Sequence, residues 1–451
     1  MNVSLNAWAS VPVILVGMTA LLAALRFWQR RANPSPELVR KLFHLGGGML
    51  ALPLPWLFQD PLPVAVGCGI VLVAFSMLRI VPALRAGPGM VFTAVQRHTV
   101  GEFCYVASLF LLFLLARDKP LLYSVPLLVL AMADSFAALI GSTYGRIRFT
   151  AGVDGKSLEG SAAFFLSAFL CVHVPVLLFS DTPRFNSLLI GVNIGLMVMM
   201  AEAAAWWGLD NLIIPLFSYA LLDSFLKLPA PVLIQHLVFL LALSMLIGLW
   251  RKRTTLADDA LFGASLFGYM AWAMAGWHWV IPPLILIGIY KVVCSPVPDD
   301  GLRPFHFPVA LVNMSGGVLW LVLHWQFEQP VWFAAYAAAF AANLSIVALV
   351  RQRTAEPFSH LRRAVIASAC KGMLVVVPSL ILAMGATPLA AAGMISGGIA
   401  VLAATAAFAA FQPDMTRFPV DKRRWARQAV WSTLASPLAL LPVLLPSATI
   451  N

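Results

Sequence analysis

Asp134 stands inside an apolar run from about Leu121 to Ile140. A charge in the inner part of a spanning helix costs roughly 2.5–3.5 kcal/mol on insertion scales, so its ordinary explanation is function. Two glycines, Gly141 and Gly145, follow where the run ends, and then come Lys156 and Glu159, neighbours if that segment is helical. A carboxylate able to hold a metal, a glycine-marked loop and a lysine with its own acid are the parts a nucleotide site needs. The same residues also fit a structural ion pair between Asp134 and Lys156. Gly155, Lys156 and Ser157 spell the end of a P-loop, but that motif needs a glycine where Thr150 stands and a strand before it.

Other polar groups sit at the edges of apolar runs. Glu37, Arg40, Lys41 and His44 fall at helical spacing, which gives one polar, basic face. Arg40 and Lys41 suit phosphates, although basic residues at a membrane end also reach for headgroups on their own account. A histidine entering a span needs a partner, so His44 is a candidate in its own right. Glu102 opens another run, where it either serves a metal or pairs with Arg97. Glu202, Asp210 and Asn211 flank a further junction. Their oxygens suit Mg2+, and the Asp-Asn pair also fits a helix cap.

The elements that must carry these groups follow from composition. Of 451 residues, 61% are hydrophobic and 11% charged, far from the balance of a soluble domain. The chain reads as an all-α, polytopic integral membrane protein with about 16 transmembrane helices in two halves. The first run, about Val11 to Trp28, is long enough to span and leads into arginines, so no cleavable signal is expected. Five scattered cysteines (Cys68, Cys104, Cys171, Cys294, Cys370) show no metal-ligand spacing. The formal net charge of +11 reports topology rather than a nucleic-acid partner.

With the N-terminus outside, one set of loops collects Arg26 to Lys41, Arg79 to Arg97, Arg146 to Lys156 and Arg251 to Arg253. The positive-inside rule makes that set cytoplasmic and both termini external. Arg40 to His44, Glu102, Asp134, Lys156 to Glu159 and Glu202 to Asn211 then all emerge on the cytoplasmic side, of an inner membrane. Acids, bases and glycine loops at headgroup depth suggest phosphoryl chemistry on a lipid, using a cytosolic nucleotide and working by positioning and electrostatics.

R-K-L-F-H-L-G-G-G, R-H-T-V-G-E, A-D-S-F-A-A-L-I-G-S-T-Y-G-R, K-S-L-E-G-S and the A-E-A to W-G-L-D-N-L segment, in this order, resemble the phytol kinase and dolichol kinase family. The G-L-D-N element favours the phytol kinase branch. The resemblance covers about Val11 to Trp250 and implies a kinase that uses CTP, or another nucleoside triphosphate, on the hydroxyl of an isoprenoid alcohol such as phytol, geranylgeraniol, farnesol or a polyprenol. It implies Mg2+ held by Asp134 with Glu202, Asp210 or Glu102. It places phosphates near Arg40, Lys41, Gly141, Gly145, Lys156, Ser157, Gly160 and Asn211. Glu159 would orient Lys156, or act with His44 in taking the alcohol proton.

Two domains are expected, 1–253 carrying the site and 254–451 as a second membrane domain. The T-L-A-D-D-A-L-F-G segment resembles the opening of the phytyl-phosphate kinase family, but Asn343 stands where that family has an aspartate. A degenerate partner domain is the resulting expectation. A lipid cytidylyltransferase and a lipid transporter or flippase remain as alternatives, separable by product, and the oligomeric state stays open.

Overall fold

A computed structural model describes residues 7–93, 100–149, 156–205, 207–250, 256–294, 305–412, 414–415 and 422–444. Arg97 and the 150–155 stretch lie outside the described residues, and so does the basic triplet 251–253. The chain divides into two units, Met1–Val238 and Phe239–Asn451. The division falls inside a helix rather than at the basic triplet.

In the first unit the helices are α1 (Ala7–Ala32), α2 (Pro36–Ala51), α3 (Leu54–Leu57), α4 (Pro61–Ile80), α5 (Pro82–Ala86), α6 (Met90–Thr93), α7 (Gly101–Ala116) and α8 (Pro120–Leu128). A π-helical turn, Val129–Ala133, leads straight into α9 (Asp134–Tyr144). A two-residue antiparallel ladder pairs β1 (Arg148–Phe149) with β2 (Lys156–Ser157). Then follow α10 (Leu158–Phe179), α11 (Arg184–Ala204), α12 (Asp210–Phe225) and α13 (Ala230–Trp250), the last crossing the division.

Local sequence explains the starts. Ser35 caps α2 by accepting from the Leu38 N–H, with Pro36 in the first helical position and Glu37 in the first turn. Asp60 does the same for α4, and Ser157 for α10, where its hydroxyl accepts from the Gly160 N–H at 3.1 Å. The glycine run in α2 has a steric reason. A Cβ on Gly48 would meet the Ala131 Cβ at 2.5 Å and the Tyr105 hydroxyl at 3.0 Å. Only glycine lets α2 lie this close to the π turn.

The second unit holds α14 (Asp258–Ala275), α15 (Ile281–Val293), α16 (Phe307–Phe327), α17 (Trp332–Ala355), α18 (Leu361–Met384), α19 (Pro388–Phe411), α20 (Lys422–Ala435) and α21 (Leu441–Leu444). Helix α17 is its axis and is buried along nearly its whole length. It packs on α15, α16, α18, α19 and α20. Its alanines, Ala334 to Ala342 with two aromatics among them, keep the helix narrow enough to be surrounded.

The chain is all-α apart from the short ladder. Among the described residues ten helices are long and apolar enough to cross a membrane. Gly101–Ala116 and Trp277–Val293 are shorter apolar helices. The expected count of about 16 is therefore not reached by length and composition. The reason is charge and length. Helix α2 has 16 residues and carries Glu37, Arg40 and Lys41, α14 opens on two aspartates, and α20 is basic.

Candidate functional site

Asp134 begins α9 immediately after the π turn. A π turn inserts an extra residue into the helical register and often marks a functional site. Here it brings the carboxylate against α2. Lys41 Nζ donates to Asp134 Oδ2 at 2.5 Å, with both side chains buried. His44 Nε2 lies 3.4 Å from the same oxygen and 3.2 Å from the Leu130 carbonyl. A carbonyl only accepts, so Nε2 carries a hydrogen. Tyr105 packs on the imidazole with ring centroids 4.4 Å apart, and its hydroxyl donates to the His44 carbonyl at 3.1 Å. Asp134 thus pairs with Lys41 and not with Lys156, the structural pairing that the sequence allowed.

Lys156 has another acid. Its Nζ donates to Glu202 Oε1 at 2.8 Å and also to the Glu202 carbonyl. The expected helical neighbourhood of Lys156 and Glu159 is corrected, because Lys156 sits in β2 and Glu159 in the first turn of α10. Both Glu159 oxygens accept from the Ile147 N–H, at 3.2 and 3.3 Å, which ties the loop down. Glu159 therefore orients a backbone rather than the lysine.

The glycines expected at phosphates make a close helix crossing. Cβ atoms on Gly141 and Gly160 would each approach the Ser157 hydroxyl, at 3.1 and 3.0 Å, and Gly160 would also meet the Gly141 Cα at 3.2 Å. Gly145 caps α9 with φ −64°, an ordinary backbone geometry, and a Cβ there would meet Ser157. These residues bring the end of α9 against the start of α10, which sets Lys156 beside α11.

Arg40 makes a two-pronged pair with Glu37, at 2.6 and 3.0 Å. Glu102 accepts from Arg79 at 2.7 Å, whereas its expected partner Arg97 is outside the described residues. Asn211 does not cap α12, whose N-cap is Leu209 with no side-chain cap bond. Its Nδ2 donates to the Gly101 carbonyl at 3.0 Å and fastens α12 to α7. Asp210, in the first turn of α12, keeps Oδ1 buried without a hydrogen-bond partner. The separate elements converge electrostatically: Arg40 feels Glu37, Asp134 and Asp210, and Glu202 feels Lys156, Asp210 and Asp134.

Among the described residues no three His, Cys, Asp or Glu side chains gather to hold a metal ion. The acids do not form a protein-only cage. Mg2+ carried on nucleotide phosphates needs only one or two carboxylates, and the unsatisfied Asp210 oxygen is a donor that fits that demand.

Beside this polar layer lies a cavity that the sequence did not reveal. It has an empty volume of about 1020 Å³ and runs between α1, α2, α3, α4 and α7. Its walls are apolar, including Val11, Leu15, Phe43, Val64, Phe75 and Leu109. Its polar lining consists of Arg40, His44, Glu102, Tyr105 and Asn211. An apolar chamber with a few polar groups is the form of a small-molecule site.

A curated phytol kinase from Synechocystis is similar to this chain. The two are 29% identical over 223 residues, which is 48% of this chain and 91% of the relative. No family model matches the chain, and no solved structure matches it.

Tyr105 and the cavity walls belong to the candidate site and were not singled out by the sequence. Tyr105 had a signal, since it lies one helical turn from Glu102. The walls had none: they are apolar residues among many, and only packing shows which of them face a void. In the second unit, Asn343 is buried and donates to the Asn313 and Ala339 carbonyls. It serves an amide network there.

Proposed function

We propose that the first unit is a membrane kinase that transfers the terminal phosphoryl group of a nucleoside triphosphate, CTP, to the hydroxyl of an isoprenoid alcohol. The observation that carries this reading is the apolar cavity whose polar lining includes Arg40 and His44, the latter set against the Lys41–Asp134 pair. The similarity to a phytol kinase supports it, and the matched length of 223 residues is close to that of the first unit.

In this mechanism the hydrocarbon tail fills the cavity and the hydroxyl sits among Arg40, His44 and Tyr105. The alcohol oxygen attacks the γ-phosphorus, the bond to the bridging oxygen breaks, and the nucleoside diphosphate leaves. His44 takes the hydroxyl proton on Nδ1. Arg40, Lys41 and Lys156 offset the charge spread over the phosphoryl oxygens, which is the main contribution a protein can make to such a transfer. Asp134 holds Lys41 and the His44 ring in place. Glu202 holds Lys156. Asp210, with Glu202 nearby, would hold the Mg2+ carried on the nucleotide, and the ion would supply neutralisation of phosphate charge. The excess of arginine and lysine on one set of loops supports a cytoplasmic site and external termini.

An apolar chamber among the helices suits an isoprenoid tail such as that of phytol, geranylgeraniol or farnesol. The second unit has no role in this chemistry, in keeping with Asn343 at the position where an acid was expected. The test is the purified full chain with each of these alcohols and CTP, ATP or UTP, read by phosphorylated lipid. A monophosphate of a short isoprenoid alcohol is the expected product. Turnover confined to long polyprenols would refute the cavity assignment.

A further inference from the structure

The second unit has a cavity of its own, with an empty volume of about 880 Å³ and apolar walls that include Phe267, Leu286, Val309, Met314 and Val347. Its polar lining includes Asn313, Asn343, Gln428 and Arg424, with Tyr290 and Trp425 beside them. The three amides are locked in one orientation. Asn313 Nδ2 donates to the Val309 carbonyl at 3.0 Å, and Asn343 Nδ2 donates to the Ala339 and Asn313 carbonyls at 3.0 and 3.1 Å. Carbonyls only accept, so both asparagines must turn their Oδ1 atoms elsewhere. Gln428 Nε2 donates to both, at 2.8 Å to Asn313 and 3.1 Å to Asn343. That leaves Gln428 Oε1, on a side chain 2% exposed, buried without a hydrogen-bond partner.

A buried acceptor with no donor is an unmet demand in the cavity wall. The ligand that meets it must bring an O–H or N–H. A hydroxyl supplies that donor. A phosphomonoester dianion or a carboxylate has acceptors alone and leaves Gln428 unsatisfied. We infer that the second unit binds a long-chain lipid alcohol in this cavity, with the hydroxyl donating to Gln428 Oε1 and the hydrocarbon chain against the apolar walls. This site stands independently of the reading of the first unit.

The test uses the full chain in detergent with a farnesol analogue carrying a diazirine, and maps crosslinked peptides by mass spectrometry. Saturable crosslinks are expected within 256–294 and 305–350, displaced by unlabelled farnesol and not by farnesyl monophosphate. Gln428→Leu should weaken these crosslinks by about tenfold, the loss of one buried hydrogen bond, and leave those in the first unit unchanged. Ala310→Phe, which fills the cavity and keeps the amides, should abolish them. Absence of saturable crosslinks in the second unit would overturn the inference. So would equal displacement by the monophosphate, which would mark an anionic-lipid site, or unchanged labelling in both variants.

Discussion

Asp134→Asn keeps the shape of the side chain and removes its charge, which leaves Lys41 as a cation buried without its anion. Removing one partner of a buried pair costs about 3–5 kcal/mol, because the other charge stays desolvated. At 1.4 kcal/mol per factor of ten, that is roughly two to three and a half orders of magnitude in any equilibrium the pair supports. The asparagine oxygen still accepts from Lys41, so the loss of fold stability should lie near the lower end, about 3 kcal/mol. Turnover should vanish, because Lys41 and the His44 ring lose the group that holds them. A second variant separates the two effects. Lys41→Met with Asp134→Leu replaces the pair by apolar groups of similar volume, a change that is often neutral or stabilising. The double variant should melt close to the unsubstituted protein in detergent and still transfer no phosphate. Thermal melting and product formation are measured on the same samples. Native-like turnover in Asp134→Asn, or a double variant less stable than both single ones, would refute the argument.

The other predictions concern the lysine, the cavity and sidedness. Lys156→Ala should lower turnover by about two orders of magnitude, the usual loss for one preorganised donor. Lys156→Arg should restore little, since a planar fork does not replace a point charge between the two Glu202 oxygens it contacts. Equal activity of the alanine variant would reduce the lysine to a topology signal. Gly67 lines the cavity on α4, with the Val11 side chain 3.5 Å from where its Cβ would stand. Gly67→Trp should raise KM for the alcohol by about tenfold through overpacking and leave KM for the nucleotide unchanged. A rise in both would disconnect the cavity from the tail. Single cysteines at the exposed Arg146 and Arg148, in a background without other cysteines, should be labelled in intact cells only by a reagent that crosses the membrane. Labelling by an impermeant reagent would place the site outside.

The sequence singled out several polar groups that the structure brings together, but not which of them touch. Asp134 and Lys41 were both singled out, Asp134 because a charge inside an apolar run is costly, and each was given a different companion. Their pairing spans 93 residues of chain and depends on a π turn that has no recognisable spacing in the letters. Lys156 and Glu159 show the opposite failure. A three-residue spacing suggests contact on a helix, but the ladder of β1 and β2 ends at Ser157, so the two side chains belong to different elements. Gly141, Gly145 and Gly160 were expected at phosphates, and in the structure they make a close helix crossing. The helical architecture was legible from hydropathy. The number of spanning helices was not, because α2, α12 and α14 mix short length with charge at their ends.

The central claim is that the alcohol receives the terminal phosphoryl group of the nucleotide. Full-length protein should be given phytol with CTP labelled either at the γ or at the α phosphorus, and the lipid extract read for label. The account predicts γ label in a lipid monophosphate, CDP in equal amount, no α label in lipid and no diphosphate product. Alpha label in the lipid with release of pyrophosphate would make the protein a cytidylyltransferase, and phytol left unlabelled by any nucleotide would contradict the account altogether.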